Sequence, residues 1–303
     1  MLKTIQEFKN AKFSWINVTN NGGKEIEYLK EKFGFHELDL KDCLPPLQRP
    51  KLVVRPDYLF MILLFPVFDR KTRVIHASEV DFFITPKALV TVNTNELVPL
   101  REIFSRCQSK KEKYANITDL LHEILHELLM SCFPMLVHIS TDIDNVETKL
   151  RSEFEKGTIT EILRIKTNIV NFRKAMQPHK QVIRSLIAEA PKFFPTQKMK
   201  IYFENLVNNT KEIWDLLDNY KDTIDALHET NASLIDFRIN EIMKTLTIIS
   251  VIVFPLTLLA ALFSMNTPGM PLANHPYGFW IVLTSMLFGA LGLLWYFEKK
   301  KWL

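Results

Sequence analysis

Residues 240–280 have the sequence NEIMKTLTIISVIVFPLTLLAALFSMNTPGMPLANHPYGFW, in which a long apolar run is followed by a proline-rich segment. The apolar run, Met243–Phe263, has 21 residues and one charge, Lys244, near its start. An α-helix of that length crosses the hydrocarbon core of a bilayer. A second run, Phe279–Phe297, has 19 residues and no charge. The two runs therefore predict a pair of transmembrane helices.

The flanks of the two runs predict their orientation. Residues 264–278 contain three prolines and no Lys or Arg, which indicates a short loop. Lys299–Lys301 follow the second run, and Arg238 and Lys244 lie at the start of the first. Positive residues are retained on the cytoplasmic side. We therefore expect a multi-pass protein of the plasma (inner) membrane, with both termini in the cytoplasm and the loop outside.

The composition is typical of transmembrane segments joined to charged, water-soluble domains. Of the 303 residues, 47% are hydrophobic and 24% are charged. The net charge of +4 is small, and apart from the last lysines it is not clustered, so nucleic-acid binding is not expected. Cys43, Cys107 and Cys132 are widely spaced, which favours a reducing compartment over a disulfide framework. No glycine-rich phosphate motif occurs, so an ATP-driven pump is not expected either.

Residues 1–115 mix strand and helix patterns and predict a cytoplasmic α/β domain. Runs rich in Val, Ile and Phe alternate with turn residues, as is typical of strands. The predicted elements are a strand at Phe13–Thr19, a helix at Lys24–Phe33, a strand within Lys51–Phe68 bounded by Pro56 and Pro66, and two strands within Val80–Val92 joined at Thr85-Pro86-Lys87.

Residues 116–241 predict a cytoplasmic helical stalk or funnel. Apolar residues recur at spacings of three and four over Asp119–Glu155, which predicts a first helix. After Gly157, a capping box of Thr158 and Glu161 predicts the start of a second helix, which runs to about Ala190 with a kink at Pro178.

A third helix is predicted to begin with Thr196 as its cap and to continue from Lys198 to Phe263. Its 66 residues would extend about 100 Å at 1.5 Å per residue, too long for one compact domain. The fold class predicted for the chain is thus an α+β membrane protein in three parts. They are the α/β domain (1–115), the stalk (116–241) and a hairpin (242–303) with spans 243–263 and 279–297, the outside loop 264–278 and a basic cytoplasmic tail.

One face of the third helix carries two adjacent rows of residues, each with a spacing of seven. Together they are here called the pathway stripe. Its lower part is acidic, and its membrane part holds hydroxyl groups among Leu and Ile. Polar groups at membrane depth face protein or water, so the stripe predicts the lining of a pathway. The acidic members are Asp215, Asp222, Glu229 and Asp236, and the predicted pore-lining members are Asn240, Met243, Thr247, Ser250, Phe254, Thr257 and Ala261.

One helix cannot enclose a pathway, so several copies are expected to form a symmetric ring in the lipid. No carboxylate lies between Glu241 and Glu298, so the membrane part offers a cation only neutral oxygens. Because Mg²⁺ gives up water reluctantly, rings of Asn240 and Asn266 would bind it through its hydration waters. Met243 and Phe254 would close the path by dewetting. A membrane potential of 100 mV would drive a divalent ion with about 4.6 kcal/mol.

The run MKTLTIISVIVFPLTLLAALFSMN, the Pro-containing loop, a GFW restart and the closing KKKWL resemble the C-terminal signature of the CorA family of divalent-cation channels. The resemblance implies a homopentamer whose first span lines the pore and which conducts Mg²⁺, with Co²⁺ and Ni²⁺ as further cations. It implies an outer mouth at Ser264-Met265-Asn266, where serine replaces the family's glycine. It implies no resident cofactor, but a regulatory Mg²⁺ between cytoplasmic domains. Asn205, beside Glu204, stands where that site calls for an Asp.

Other interpretations stay open from the sequence alone. A zinc transporter similar to ZntB would share the whole architecture. The acids could form an ordinary solvated face, and the hydroxyl groups could bond to their own helix. His122-Glu123-Ile124-Leu125-His126 matches the HExxH pattern of zinc proteases, in which two His bind the metal and Glu acts as the base. No downstream motif offers an obvious third ligand, so a plain surface His pair is the competing interpretation.

Overall fold

In this computed structural model, the described residues are 3–109, 114–152, 157–193, 199–265, 271, 272, 275–300 and 302. The chain forms two compact units, Met1–His228 and Glu229–Leu303. The larger of the two apolar cores of the first unit contains residues from the strands and from the helices that follow them. The boundary predicted near residue 115 therefore divides segments that pack in the same core.

The first unit is built on a mixed sheet of six strands. The strands are β1 (Ile5–Lys9), β2 (Ser14–Val18), β3 (Lys51–Val54), β4 (Leu59–Asp69), β5 (Val74–Ile84) and β6 (Ala88–Asn93). Their order in the sheet is β1-β2-β6-β5-β4-β3. The pair β2 and β6 is parallel, and the other neighbouring pairs are antiparallel.

Helices cover both faces of this sheet. The helices are α1 (Gly23–Phe33), α2 (Glu37–Asp42), α3 (Val98–Gln108), α4 (Ile117–Met130), α5 (Cys132–Ser152), α6 (Thr158–Met176), α7 (His179–Glu189), α8 (Met199–Ser264) and α9 (Gly278–Lys299). Side chains alternate along a strand, so Phe60 and Phe83 enter a core with α1 and α2. Met61 and Phe82 enter the larger core with α3 to α7 and the lower part of α8.

The predicted strands are confirmed, with one error. β2, β5 and β6 match the strands expected at Phe13–Thr19 and within Val80–Val92, although β5 begins earlier, at Val74. Pro66 was expected to bound a strand, but it lies inside β4 opposite Ala77. β3 pairs only with Leu59–Ile62, so one side of β4 is unpaired at Pro66. A proline is tolerated at such an edge because no partner needs its missing N–H.

The first predicted helix is two helices in the structure. The described part of Asp119–Glu155 is divided between α4 and α5 at Ser131. Pro134 lies in the first turn of α5, where a missing N–H is tolerated, whereas inside a continuous helix it would remove a hydrogen bond. The chain therefore breaks just before this proline. Residues 153–156 lie outside the described part.

The capping box predicted at Thr158 is wrong. Gly157 is the N-cap of α6 and provides no side-chain hydrogen bond, and Thr158 is already helical and buried. The Glu161 carboxylate pairs instead with Lys149 of α5 at 2.9 Å. The Glu161 side chain thus contacts Lys149 in place of the backbone N–H of a helix cap. The kink expected at Pro178 is a complete break, with α6 ending at Met176 and α7 beginning at His179.

α8 is a single helix of 66 residues with Pro255 inside it, as the sequence predicted. It begins at Met199 and ends at Ser264, one residue from each predicted end, and the cap predicted at Thr196 lies outside the described residues. α9 extends the predicted second span by one residue at its start and by two at its end.

Candidate ion pathway

Three helical stretches in the described residues are long and apolar enough to span a membrane: Ile117–Arg151, Lys200–Ser264 and Gly278–Lys299. In the first, 44% of the most apolar window is buried inside the protein, against 6% in each of the other two. Ile117–Arg151 is also divided between α4 and α5. Its apolar residues fill the core of the first unit. The two runs expected to be spans leave their apolar side chains uncovered.

The acidic members of the pathway stripe are exposed. Asp215, Asp222, Glu229 and Asp236 all lie on the surface of α8. One of them contacts a cation, Lys221, whose Nζ is 3.3 Å from Asp222 Oδ1. Most of the Asp222 side chain nevertheless remains in solvent, since its relative exposure is 73%. These carboxylates are therefore open to cations from outside the chain.

The acids beside the stripe behave differently. Arg173 of α6 contacts Asp218 at 2.6 Å, and Lys166 of α6 contacts Asp225 at 2.6 Å. The Lys166 hydrogen bond holds the pKa of Asp225 below its usual value, although partial burial opposes this effect. The two cations and the two acids are each seven residues apart, so antiparallel helices bring both pairs together. This match of spacings is visible in the sequence but was not predicted from it.

The hydroxyl groups of the stripe bond to their own helix. Thr247, Ser250 and Thr257 donate to the carbonyl groups four residues earlier, at 2.7, 2.8 and 2.9 Å. This is the back-bonding that the sequence analysis left as an alternative. It fixes the hydroxyl hydrogen on the backbone and leaves the oxygen lone pairs free to accept. The water shell of a cation points hydrogens outward, so such oxygens match a hydrated cation.

The large apolar members of the stripe are exposed, Met243 at 56% and Phe254 at 71%. Asn240 and Ala261 are also exposed. In the lower part of the span, Asn240, Met243 and Thr247 line a shallow groove together with Lys300 and Trp302 from the end of the chain. These stripe residues therefore lie beside the basic end of α9.

The predicted mouth is only partly described. Ser264 ends α8 and Met265 follows it, exposed, whereas Asn266 lies outside the described residues. The entry into α9 is a tight turn in which the Gly278 N–H donates to the His275 carbonyl at 2.9 Å. A Cβ at residue 278 would lie 2.4 Å from the Leu272 carbonyl oxygen, which only glycine avoids. This explains the glycine of the GFW restart.

Among the described residues, the HExxH pattern does not gain a third metal ligand. His122 and His126 stack on one face of α4 with ring centroids 5.8 Å apart. The His122 ring packs against Tyr202 and the buried Phe203 at the start of α8. Burial, with the nearby His126, lowers the pKa of His122. Within the described ranges, no group of three or more His, Cys, Asp or Glu side chains is arranged to hold a metal ion. This His pair is part of the helix packing.

A mixed α/β unit continued by one long helix, with two exposed apolar helical stretches, is the architecture of a membrane protein. A sequence model of the CorA-like Mg²⁺ transporter protein family matches residues 10–300. The chain belongs to this family.

Relatives and solved structures agree with this assignment. The chain is 29% identical over 298 residues to the cobalt/magnesium transport protein CorA of Thermotoga maritima, covering 96% of this chain and 83% of the relative. It is 24% identical to the protein of the same name from Methanocaldococcus jannaschii, covering 98% and 93%. The complete structure of the CorA magnesium transporter from M. jannaschii superposes with a TM-score of 0.86 at 23% identity, over 98% of this chain and 93% of that one. The fold is therefore the predicted one.

A ZntB structure shares part of the fold. The cytoplasmic domain of ZntB from Vibrio parahaemolyticus gives a TM-score of 0.64 at 12% identity, over 75% of this chain and 89% of that one. Its likeness is one of fold alone.

Proposed function

We propose that the chain assembles into a homopentameric ring that conducts hydrated divalent cations across the plasma membrane. Mg²⁺ is the proposed main cargo, with Co²⁺ and Ni²⁺ as further cations, and the names of the T. maritima and M. jannaschii relatives support the first two. The observation that carries this proposal is the stripe on α8. One unbroken helix presents exposed acids in its lower part and outward hydroxyl oxygens in its membrane part.

The ring follows from what this face lacks. Polar side chains at membrane depth need protein or water beside them, yet Thr257, beyond the groove lined by Lys300 and Trp302, is exposed in the single chain. Copies around an axis would enclose the stripe and give a water-filled path. The number five rests on the family resemblance. In this arrangement the exposed carboxylates would collect cations at the cytoplasmic end.

Passage in the membrane part would be by hydrated ions. Hydroxyl and amide oxygens, with rings of Asn240 and Asn266, would accept hydrogen bonds from the cation's waters without stripping them. Rings of Met243 and Phe254 would interrupt the water column when the path is closed. With both termini in the cytoplasm, a potential of 100 mV would contribute about 4.6 kcal/mol per divalent ion to inward movement.

A regulatory Mg²⁺ between neighbouring first units is a further part of the proposal. Glu204 and Asn205 are both exposed on α8 and so are available to a second copy. An amide oxygen at residue 205 would bind the cation more weakly than a carboxylate. We therefore expect closure to need a higher cytoplasmic Mg²⁺ concentration than in a variant with Asn205→Asp.

The test is flux into sealed vesicles that contain the purified full-length protein. With an imposed potential, negative inside, Mg²⁺ should enter protein-containing vesicles and not protein-free ones. The absence of uptake under these conditions would contradict the proposal. Zn²⁺ added to the same assay separates the two transport hypotheses, because a zinc transporter would take up Zn²⁺ and be little affected by Mg²⁺. The mass of the intact complex gives the copy number directly.

A further inference from the structure

Two acidic residues are buried together on β5, away from the ion pathway. Glu79 and Asp81 are two residues apart, so their side chains lie on the same face of the strand. This is the face that carries Phe83 and is covered by α1 and α2. Glu79 is 7% exposed and Asp81 is 2% exposed. Carboxyl groups are seldom buried this deeply without a cation beside them.

No described Lys, Arg or His side chain is in direct contact with either carboxyl group. The Gln48 backbone N–H donates to Glu79 Oε2. Asp81 Oδ1 is buried and accepts no hydrogen bond from any described residue. An ionised oxygen in that state would cost several kcal/mol, whereas a protonated carboxyl group avoids the charge. The surroundings of Asp81 therefore favour its protonated form.

Asp39, in the adjacent helix α2, is the contrasting case. It is also 2% exposed, but Arg55 donates two hydrogen bonds to it at 2.9 and 2.6 Å, and the Tyr58 hydroxyl donates a third at 2.7 Å. Burial opposes ionisation, yet these partners hold the pKa of Asp39 below its usual value. Equal burial therefore gives an ionised group in one place and favours a neutral group in the other.

The charged and titratable neighbours of the pair come from α2 and β3. Asp42 and the Cys43 thiol face it from the end of α2, and Lys51 faces it from β3. The Lys51 ammonium forms an ion pair with Asp42, with Nζ 2.5 Å from Oδ2. On the strands beside Asp81, the directly opposite residues are Ile62 and Val92. Burial keeps the Cys43 thiol neutral by raising its pKa.

We propose that Glu79 and Asp81 are protonated up to about neutral pH, and that the loss of these protons loosens the packing of α2 and residues 43–50 against β5. Ionising both groups would place two negative charges in the core under the end of α2, with the Gln48 N–H bonded to Glu79 and no described cation in contact with either carboxylate. Asp42, with Lys51 as its partner, would add to the repulsion. The first unit would then respond to cytoplasmic pH, a property that goes beyond cation conduction and does not depend on it.

The direction of the pH effect follows from the burial. Burial, the largest cause, raises the pKa of Glu79 to about 7, and burial together with the Glu79 charge raises the pKa of Asp81 well above its usual value. Both groups thus bind protons more tightly when folded than when unfolded. Their contribution to stability is complete at acidic pH and is lost as the pH rises through about 7. For one such group, the opened population grows about tenfold between pH 6 and pH 8.

Hydrogen–deuterium exchange of the full-length protein in detergent tests this inference. After correction for intrinsic exchange, protection over residues 37–48 should fall about tenfold from pH 6 to pH 8. The change should be absent in the double variant Glu79→Gln/Asp81→Asn. The control, Glu96→Gln, alters an exposed carboxyl group of the same unit and should keep the full change. Equal protection of the parent at both pH values, or a retained tenfold change in the double variant, would overturn the proposal.

A second measurement serves if the double variant does not fold. Infrared difference spectra of the parent between pH 6 and pH 8 should show the loss of a protonated carboxyl band, and the single variant Glu79→Gln should reduce that difference. A parent without any such band at pH 6 would equally sink the idea.

Discussion

The two halves of α8 belong to one unbroken helix but have opposite surroundings. In residues 199–228, Phe203, Leu206, Ile213, Leu217 and Ile224 are buried in the core of the first unit. In residues 229–264 of the same helix, Ile248 is the only buried apolar side chain, and large residues such as Phe254 and Leu258 are exposed at 71% and 61%. Local sequence therefore builds the helix in both halves, but only the lower half finds its partners within the chain.

This contrast shows that the two halves are stabilised by burial against different partners. Covering a large apolar side chain contributes about 1.5–3 kcal/mol, and the lower half obtains this from α4 to α7. The upper half can obtain it only from lipid and from other copies of the chain. Mutations in the two halves should therefore differ in kind. Changes at buried positions of the lower half should alter folding, and changes on the stripe or in the upper half should alter transport.

The largest effect is expected at Asn266, two residues after the upper half in the sequence. Asn266→Ala removes the amide that would order the waters of an entering cation, so Mg²⁺ uptake into vesicles should be abolished while the complex still assembles. Asn266→Asp is the sharper variant, because a ring of charges should trap the ion or change the selectivity. Ser264→Gly, which restores the family's residue, is the matched control and should transport. An Asn266→Ala protein with parental uptake would remove the main site from the proposal.

A large effect on folding is expected in the lower half. Leu217→Ala leaves a cavity in a fully buried position and should reduce the free energy of unfolding by about 2–5 kcal/mol. Ile249→Ala in the upper half, where the side chain is 54% exposed, should leave the unfolding of the first unit unchanged. Denaturant titration followed by tryptophan fluorescence measures both. Equal destabilisation by the two variants would break the comparison between the halves.

An intermediate effect is expected at the proposed gate. Met243→Gly or Phe254→Gly should widen and wet the constriction, so Mg²⁺ should pass even when cytoplasmic Mg²⁺ is high. Leu259→Gly carries the same backbone cost of about 1 kcal/mol, but it lies about 200° round the helix from Thr257. This control should close normally. If both gate variants also close normally, the constriction lies elsewhere.

The smallest effect is expected at the exposed acids of the stripe. Changing all four to Asn or Gln should lower conductance at low ionic strength, by up to about tenfold, and much less at high salt. Glu241→Gln is the suitable control, since this residue is an exposed acid of α8 off the stripe. An equal loss in the control would mean that the stripe is an ordinary solvated face.

The acids beside the stripe are unsuitable for that control. Asp218→Asn and Asp225→Asn remove the partners of Arg173 and Lys166, so they test the packing of α6 on α8 instead. Surface ion pairs of this kind contribute about 0.2–1 kcal/mol each.

Prediction from sequence succeeded where the signal was long and periodic. The ends of α8 and α9 were predicted to within two residues because many consecutive residues carry the pattern. It missed β1, where only Ile5 is buried, and α2, which has only six residues. The errors at Pro66 and Thr158 have one cause. Whether a proline lies at an open strand edge, or a glutamate finds a lysine, depends on segments distant in the sequence.

The sequence by itself determined the membrane hairpin, the single long helix and the residues that share its stripe. These follow from helix period and apolar length, which are properties of consecutive residues. Tertiary structure alone decided which of three apolar helices is buried, which acids of α8 are ion-paired, and that Asp39 and Asp81 have opposite surroundings at equal burial. The physical reason is that desolvation and charge pairing depend on what covers a side chain, and the covering segments come from elsewhere in the chain.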